Sequence, residues 1–154
     1  KSCYDMAQMG VEESLDATVP PPLTGFHEWQ DWRFFDQPSE TSLPSADPDR
    51  DGRTNLLEYA LGSEPRQADT SPPLALVRLV DNRLSLNYRR PIDRNDVAYA
   101  IQHSLDLLAW NSFEPPLEPN ATEDEGGFRT LHFDDPQIQP NQQQQHLRLE
   151  VTLN

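Results

Sequence analysis

Asp47, Asp49, Asp51, Asn55 and Glu58 carry oxygen-bearing side chains at positions 1, 3, 5, 9 and 12 of a twelve-residue stretch, with Gly52 at position 6. This is the spacing of a calcium-binding loop. Calcium is a hard cation that takes six to eight oxygens at about 2.3–2.6 Å. Alternate residues of a tightly curved loop point inwards, so the three aspartates converge. Gly52 permits the sharp turn, after which the carbonyl of Arg53 faces the metal. Asn55 donates directly or through water, and Glu58, one turn into the following helix, supplies two oxygens at once. Carboxylates this close repel one another strongly without a cation between them. Magnesium fits worse, because it demands near-octahedral geometry at shorter distances. The expected ligands of one Ca2+ are therefore Asp47, Asp49, Asp51, Arg53, Asn55 and Glu58. The loop is single, Thr54 stands at position 8 where paired sensor loops carry an aliphatic residue, and no entering helix abuts it. A structural ion is expected rather than a regulatory one.

Three segments must position this loop. Residues 1–24 read as an extended tail, with Cys3 near its start and Pro20, Pro21 and Pro22 forcing an extended run. Residues 25–70 read as helix, calcium loop and helix. In the first helix, 25–36, Phe26, Trp29, Trp32 and Phe35 recur at spacings of three and leave one aromatic stripe. Core packing is its ordinary role, and sugar stacking or partner binding the alternative. The connection 37–46 is polar and reads as extended. The second helix, Thr54 to Leu61, stops at Gly62, a residue suited to a left-handed end, with Pro65 soon after. From residue 71 to 154 the hydrophobic period is two. Strands are expected at 74–80 and around Leu84–Tyr88, joined by an Asp81-Asn82 turn, then at Val97–Ile101, Phe128–Phe133 and Leu147–Leu153. The segments 93–96 and 123–126 read as acidic loops, the first a conceivable second cation site. The fold class is mainly β with a small α part: an antiparallel β-sandwich or open barrel, preceded by two short helices around the loop.

Composition explains why a metal matters. The 154 residues include 26 acidic and 12 basic ones, a formal net charge of -14. So acidic a chain lacks the basic footprint that nucleic acid or anionic lipid requires. No apolar run approaches the roughly 20 residues of a membrane helix. Leu, Ile, Val and Phe together make only 34 residues, just above the ~20% share below which highly charged chains stay disordered. A bound cation relieves both the lean core and the self-repulsion. Cys3, the single cysteine, has no internal partner; it is an unremarked thiol or an intermolecular bridge. His27, His103, His132 and His146 are scattered, and no GxSxG, GxGxxG, CxxC or HExxH is present, so no enzyme is expected. Asn120-Ala121-Thr122 is a glycosylation sequon whose meaning depends on the host.

The run ADPDRDGRTNLLEYALGSEP, Ala46 to Pro65, resembles the thrombospondin type 3-like calcium loop of large secreted bacterial surface proteins, in which an acidic DPDGDG, NLxEYALG and a proline precede a C-terminal β-module. The resemblance extends to the helix at Phe26–Phe35 and, downstream, to Leu84–Arg90, Ile101–Asp106 with Trp110, and the final Leu147-Arg148-Leu149 strand. Arg50 replaces the frequent glycine at loop position 4, at the expense of some loop strain but no ligand. A dockerin would need a second loop copy, and there is none. The resemblance implies an extracellular, non-catalytic, calcium-stabilised structural module. For a chain this small a subunit of a filament, matrix or adhesin at the cell surface is expected, with self-association through the tail bearing Cys3, Pro20, Pro21 and Pro22. The alternative is a carbohydrate- or protein-binding accessory module of a larger secreted enzyme, for which Trp110 on the β-face is the candidate contact.

Overall fold

A computed structural model of the chain describes residues 25–69, 75–136 and 145–154. The expected tail with Cys3 and Pro20, Pro21 and Pro22 lies outside the described residues. The chain order is α1 (Phe26–Phe34), a short 3-10 turn (Ser39–Ser42), α2 (Asn55–Leu61), β1 (Ala75–Val80), β2 (Arg83–Pro91), β3 (Val97–Ser104), β4 (Asn111–Ser112), β5 (Ala121–Glu125), β6 (Phe128–Asp134) and β7 (His146–Leu153). The strands form two antiparallel sheets, β1-β2-β6-β5 and β4-β3-β7. The sheets do not close on one another, so the mainly β architecture is a sandwich with two short helices beside it.

Alternation along the strands builds the core between the sheets. Leu86 and Tyr88 of β2, Leu131 and Phe133 of β6 and Leu147 of β7 are buried together with Leu61 of α2. The register pairs Leu86 with Phe133 and Tyr88 with Leu131, which places all four on one face. A hairpin turn joins β1 to β2 and sets the register of that pair. Asp81 and Asn82 both take positive φ, 49° and 61°, as a two-residue turn matching strand twist requires. Two of the seven strands were not legible as such. The stretch 123–126, expected as a loop, belongs in part to β5, which pairs with β6 across Gly126-Gly127. Every β5 residue is exposed, so no hydrophobic alternation marks the strand. Charge instead protects it as a sheet edge, with Arg129 donating two 2.8 Å hydrogen bonds to Asp124.

A second cluster joins the helices to the sheets: Phe26, Trp29 and Phe34 of α1, Tyr59 and Ala60 of α2, and Val97 of β3. Tyr99 packs against both clusters. The aromatic stripe expected from the spacing of three is corrected here. Phe26 and Trp29 are buried, but Phe34 takes the third place, while Trp32 is 38% and Phe35 83% exposed. At about 100° per residue, nine residues carry Phe35 about 180° around the helix from Phe26.

Remote side chains finish both helices. Gly25 offers α1 no side-chain cap; instead Asp96, just before β3, accepts from the Phe26 amide at 2.7 Å and from the Tyr59 hydroxyl at 2.8 Å. One carboxylate thus ties both helices to the sandwich. Asp96→Ala is expected to lower stability by about 2–3 kcal/mol, from the lost cap and charge-assisted bond. Urea unfolding measures this, and a change below half that size would show the two bonds to be dispensable. At the end of α2, the Tyr99 hydroxyl donates to the Ala60 carbonyl at 2.7 Å and Arg94 Nε to the Tyr59 carbonyl at 3.1 Å. Gly62 sits at φ 78°, and a Cβ there would lie 2.7 Å from the Phe128 ring. Glycine is required both by conformation and by space.

Candidate metal centre

The loop between the 3-10 turn and α2 is wound around its own carboxylates. The Gly52 amide donates to Asp47 Oδ2 at 3.0 Å and the Asp51 amide to Asp49 Oδ1 at 3.2 Å. Asp51 accepts from the Arg53 amide at 2.9 Å and from the Asp69 amide at 3.1 Å. These short-range bonds curl the backbone. Gly52 takes φ 91° and Arg50 φ 62°, so position 4 does adopt the left-handed conformation that glycine occupies more readily. The Thr54 hydroxyl accepts from the Leu57 amide and starts α2.

The winding leaves one oxygen of Asp47 and one of Asp49, Oδ1 and Oδ2 respectively, buried and without a hydrogen-bond partner. Carboxylate oxygens of Asp47, Asp49 and Asp51 lie within 4.8 Å of one another. This trio could hold a metal ion. Among the described residues it is the one group of three or more acidic, histidine or cysteine side chains placed to share one.

Asn55 and Glu58 stand three apart on α2, hence on one face, and both are fully buried. Asn55 Nδ2 donates to the carbonyls of Thr41 and Leu43, each at 2.8 Å. Its Oδ1 is buried with no partner. Glu58 Oε1 accepts from the Ser63 hydroxyl at 3.3 Å, while Oε2 is buried with no partner. Burial above all, then the charges of Asp49 and Asp51, push the Glu58 carboxyl up to about 7. Burial likewise raises Asp49, assisted by Asp51 and Asp47. Both shifts have the sign of carboxylates crowded out of water with no countercharge. Arg53 pairs with Asp69 at 2.9 Å and its Nε reaches Asp51 Oδ2 at 3.9 Å, so a single guanidinium offsets part of the charge of the cluster.

Sequence reasoning missed the support around these groups. The connection 37–46, expected to be extended, instead folds over the start of α2. The Thr41 hydroxyl donates to the Pro38 carbonyl and the Ser42 hydroxyl to the Ser39 carbonyl, closing the 3-10 turn. The carbonyls of Ala46 and Pro44 accept from the amides of Asn55 and Leu56. Nothing in a polar stretch marks which carbonyls will meet Asn55; Ser39, Thr41 and Ser42, with their turn-forming hydroxyls, were the available signal. In segment 93–96, the conceivable second cation site, Asp96 accepts from Phe26 and Tyr59, and among the described residues the group of three metal-ready side chains lies elsewhere. Arg94 lies over the Tyr59 ring at 4.3 Å and pairs with Asp93 at 3.2 Å. Trp110 is half-buried beneath the Arg148 guanidinium, 4.4 Å from its ring.

No family model, curated protein or solved structure matches the chain. The fold and the loop therefore define only a class: a small β-sandwich with an acidic, helix-backed loop fit to take a metal ion.

Proposed function

We propose that this chain is a calcium-stabilised, non-catalytic structural module, working as a subunit of a secreted or cell-surface assembly. Four buried oxygens without partners carry the reading: Asp47 Oδ1, Asp49 Oδ2, Asn55 Oδ1 and Glu58 Oε2, at loop positions 1, 3, 9 and 12. Buried polar atoms are nearly always satisfied, and a hard cation held by the Asp47, Asp49 and Asp51 group would satisfy all four once Asn55 and Glu58 close on it from α2. With Asp51 and the Arg53 carbonyl they make six oxygen donors, within the range calcium takes. All are oxygens and four side chains are carboxylates, a set that favours calcium over zinc or copper. The resemblance of Ala46–Pro65 to thrombospondin type 3-like loops points the same way.

A structural role suits the surroundings. Asn55 is locked between two carbonyls and Glu58 is backed by the helix, so the ion would rivet the 37–46 segment, the loop and α2 together. The extracellular setting follows from the resemblance and from the calcium there, which suffices for sites in the 10⁻⁴–10⁻³ M class. The accessory-module reading is weaker, since Trp110, its candidate contact, is covered by Arg148.

Melting the protein in calcium and in EGTA tests the metal. At about 100 times the dissociation constant the gain is ~2.7 kcal/mol, or about 5–10 °C for a domain of this size. An unchanged melting curve would sink the reading. Sedimentation and electron microscopy of the full chain in calcium test the assembly; a monomer at every concentration would limit the reading to a stabilised domain.

A further inference from the structure

A recess of about 460 Å³ lies away from the calcium loop, between the aromatic interior of the sandwich and the segment linking β4 to β5. Tyr88, Tyr99 and Phe133 line one side. Their rings are stacked, Tyr88 on Tyr99 with centroids 5.6 Å apart and Tyr88 on Phe133 at 5.8 Å. Residues 113–119 form the other side, with Phe113 and Leu117 half-buried as apolar pegs. Among the described residues none in 113–119 takes part in a backbone hydrogen bond. Pro115, Pro116 and Pro119 have no amide to give and stiffen the segment. It is pinned instead at its ends, by β4 pairing with β3 and by the Asn120 amide donating to the His132 carbonyl at 2.9 Å. A stiff strap of this kind can move off the aromatic wall without breaking a sheet.

The size is that of a small-molecule pocket, and aromatic rings share the lining with polar groups such as Ser112 and Glu114. Tyr88 supplies a second observation. As a residue it is 5% exposed, yet its hydroxyl is not among the buried atoms without a partner and is left open to water or a ligand in the recess. The charged residue lining the recess is Glu114, on the exposed strap. Arg90, the nearby cation, lies against the Tyr99 ring at 4.7 Å and does not line the recess. A ring system is favoured by the aromatic wall, a positive charge by Glu114 and by the chain's net charge of -14.

We propose that this recess binds a planar aromatic amine, its ring against the wall of Tyr88, Tyr99 and Phe133 and its ammonium toward Glu114. The test uses three probes of one shape and different charge, namely tryptamine, indole and indole-3-acetate, titrated into the full chain at saturating calcium and followed by NMR. Tryptamine is expected to shift resonances of Tyr88, Ile101 and Leu117 and to bind tighter than indole, with indole-3-acetate weakest. Glu114→Gln, at an exposed position that leaves folding intact, is expected to weaken tryptamine by up to about fivefold and to leave indole unchanged. The proposal is overturned if indole-3-acetate binds as well as tryptamine, or if the shifts fall outside the recess. It is equally overturned by an absence of shifts at millimolar probe. None of these outcomes depends on what occupies the acidic loop.

Discussion

Replacing Glu58 with glutamine is expected to shift stability in opposite directions with and without calcium. Without a cation, the fully buried Glu58 carboxyl titrates near 7, against about 4.3 in an unfolded chain. The raised folded value means that the native state holds this proton more tightly than the unfolded one. Its contribution is fully present below pH ~4 and is lost as pH rises toward and past 7, to a total of about 3–4 kcal/mol. Glutamine cannot ionise, so calcium-free Glu58→Gln is expected to be more stable than the parent at pH 8 by up to that amount. In calcium the order reverses. Losing one partner of a buried charge pair costs about 3–5 kcal/mol, equivalent to about two to three and a half decades of affinity. For the parent, calcium must displace the proton, so affinity is expected to fall by up to about tenfold per unit as pH drops below 7. Calorimetric titration and chemical denaturation at pH 6 and pH 8 read all of these. A variant equally destabilised in calcium and in EGTA would show that Glu58 serves packing alone.

Trp29→Ala is expected to be the most damaging single change outside the loop. Trp29 is 2% exposed and meets Phe26, Tyr59 and Phe34 with ring centroids 5.5, 5.4 and 6.0 Å away. Truncating a buried tryptophan costs about 3–5 kcal/mol, a large part of the ~5–15 kcal/mol a domain possesses. The loss is also expected to reach the candidate metal centre. Tyr59 follows Glu58 on α2, so loosening the aromatic cluster frees the helix that presents Asn55 and Glu58. Calcium is therefore expected to bind this variant more weakly, and by reciprocity to stabilise it less. Urea unfolding with and without calcium checks both statements. A cost below about 1 kcal/mol would mean that α1 is an ornament on the sandwich rather than part of its core.

The loop was legible because its information is local. Turn, acidic side chains and helix start all fall within twelve residues, and Thr54, Gly52 and Gly62 take the conformations their chemistry favours. Five strands were legible for the same reason, since period-two alternation needs only neighbours. β5 was not, because an exposed, charged edge carries no alternation, and the place of Phe35 was misjudged because spacings of three drift around a helix.

By itself, then, the amino-acid sequence determined the class of the fold, the site of the acidic loop and the oxygen donors that line up along it. It did so because each depends on periodicity or on contacts a few residues apart. Tertiary structure alone decided that Asp96 caps α1 and accepts from Tyr59 of α2, that Thr41 and Leu43 orient Asn55, and that the strap over Tyr88 lines a recess. Asp96 is 70 residues from Phe26 and Thr41 is 14 from Asn55. Such pairings arise from how the sheets and helices dock, through burial summed over many side chains, which no local spacing encodes.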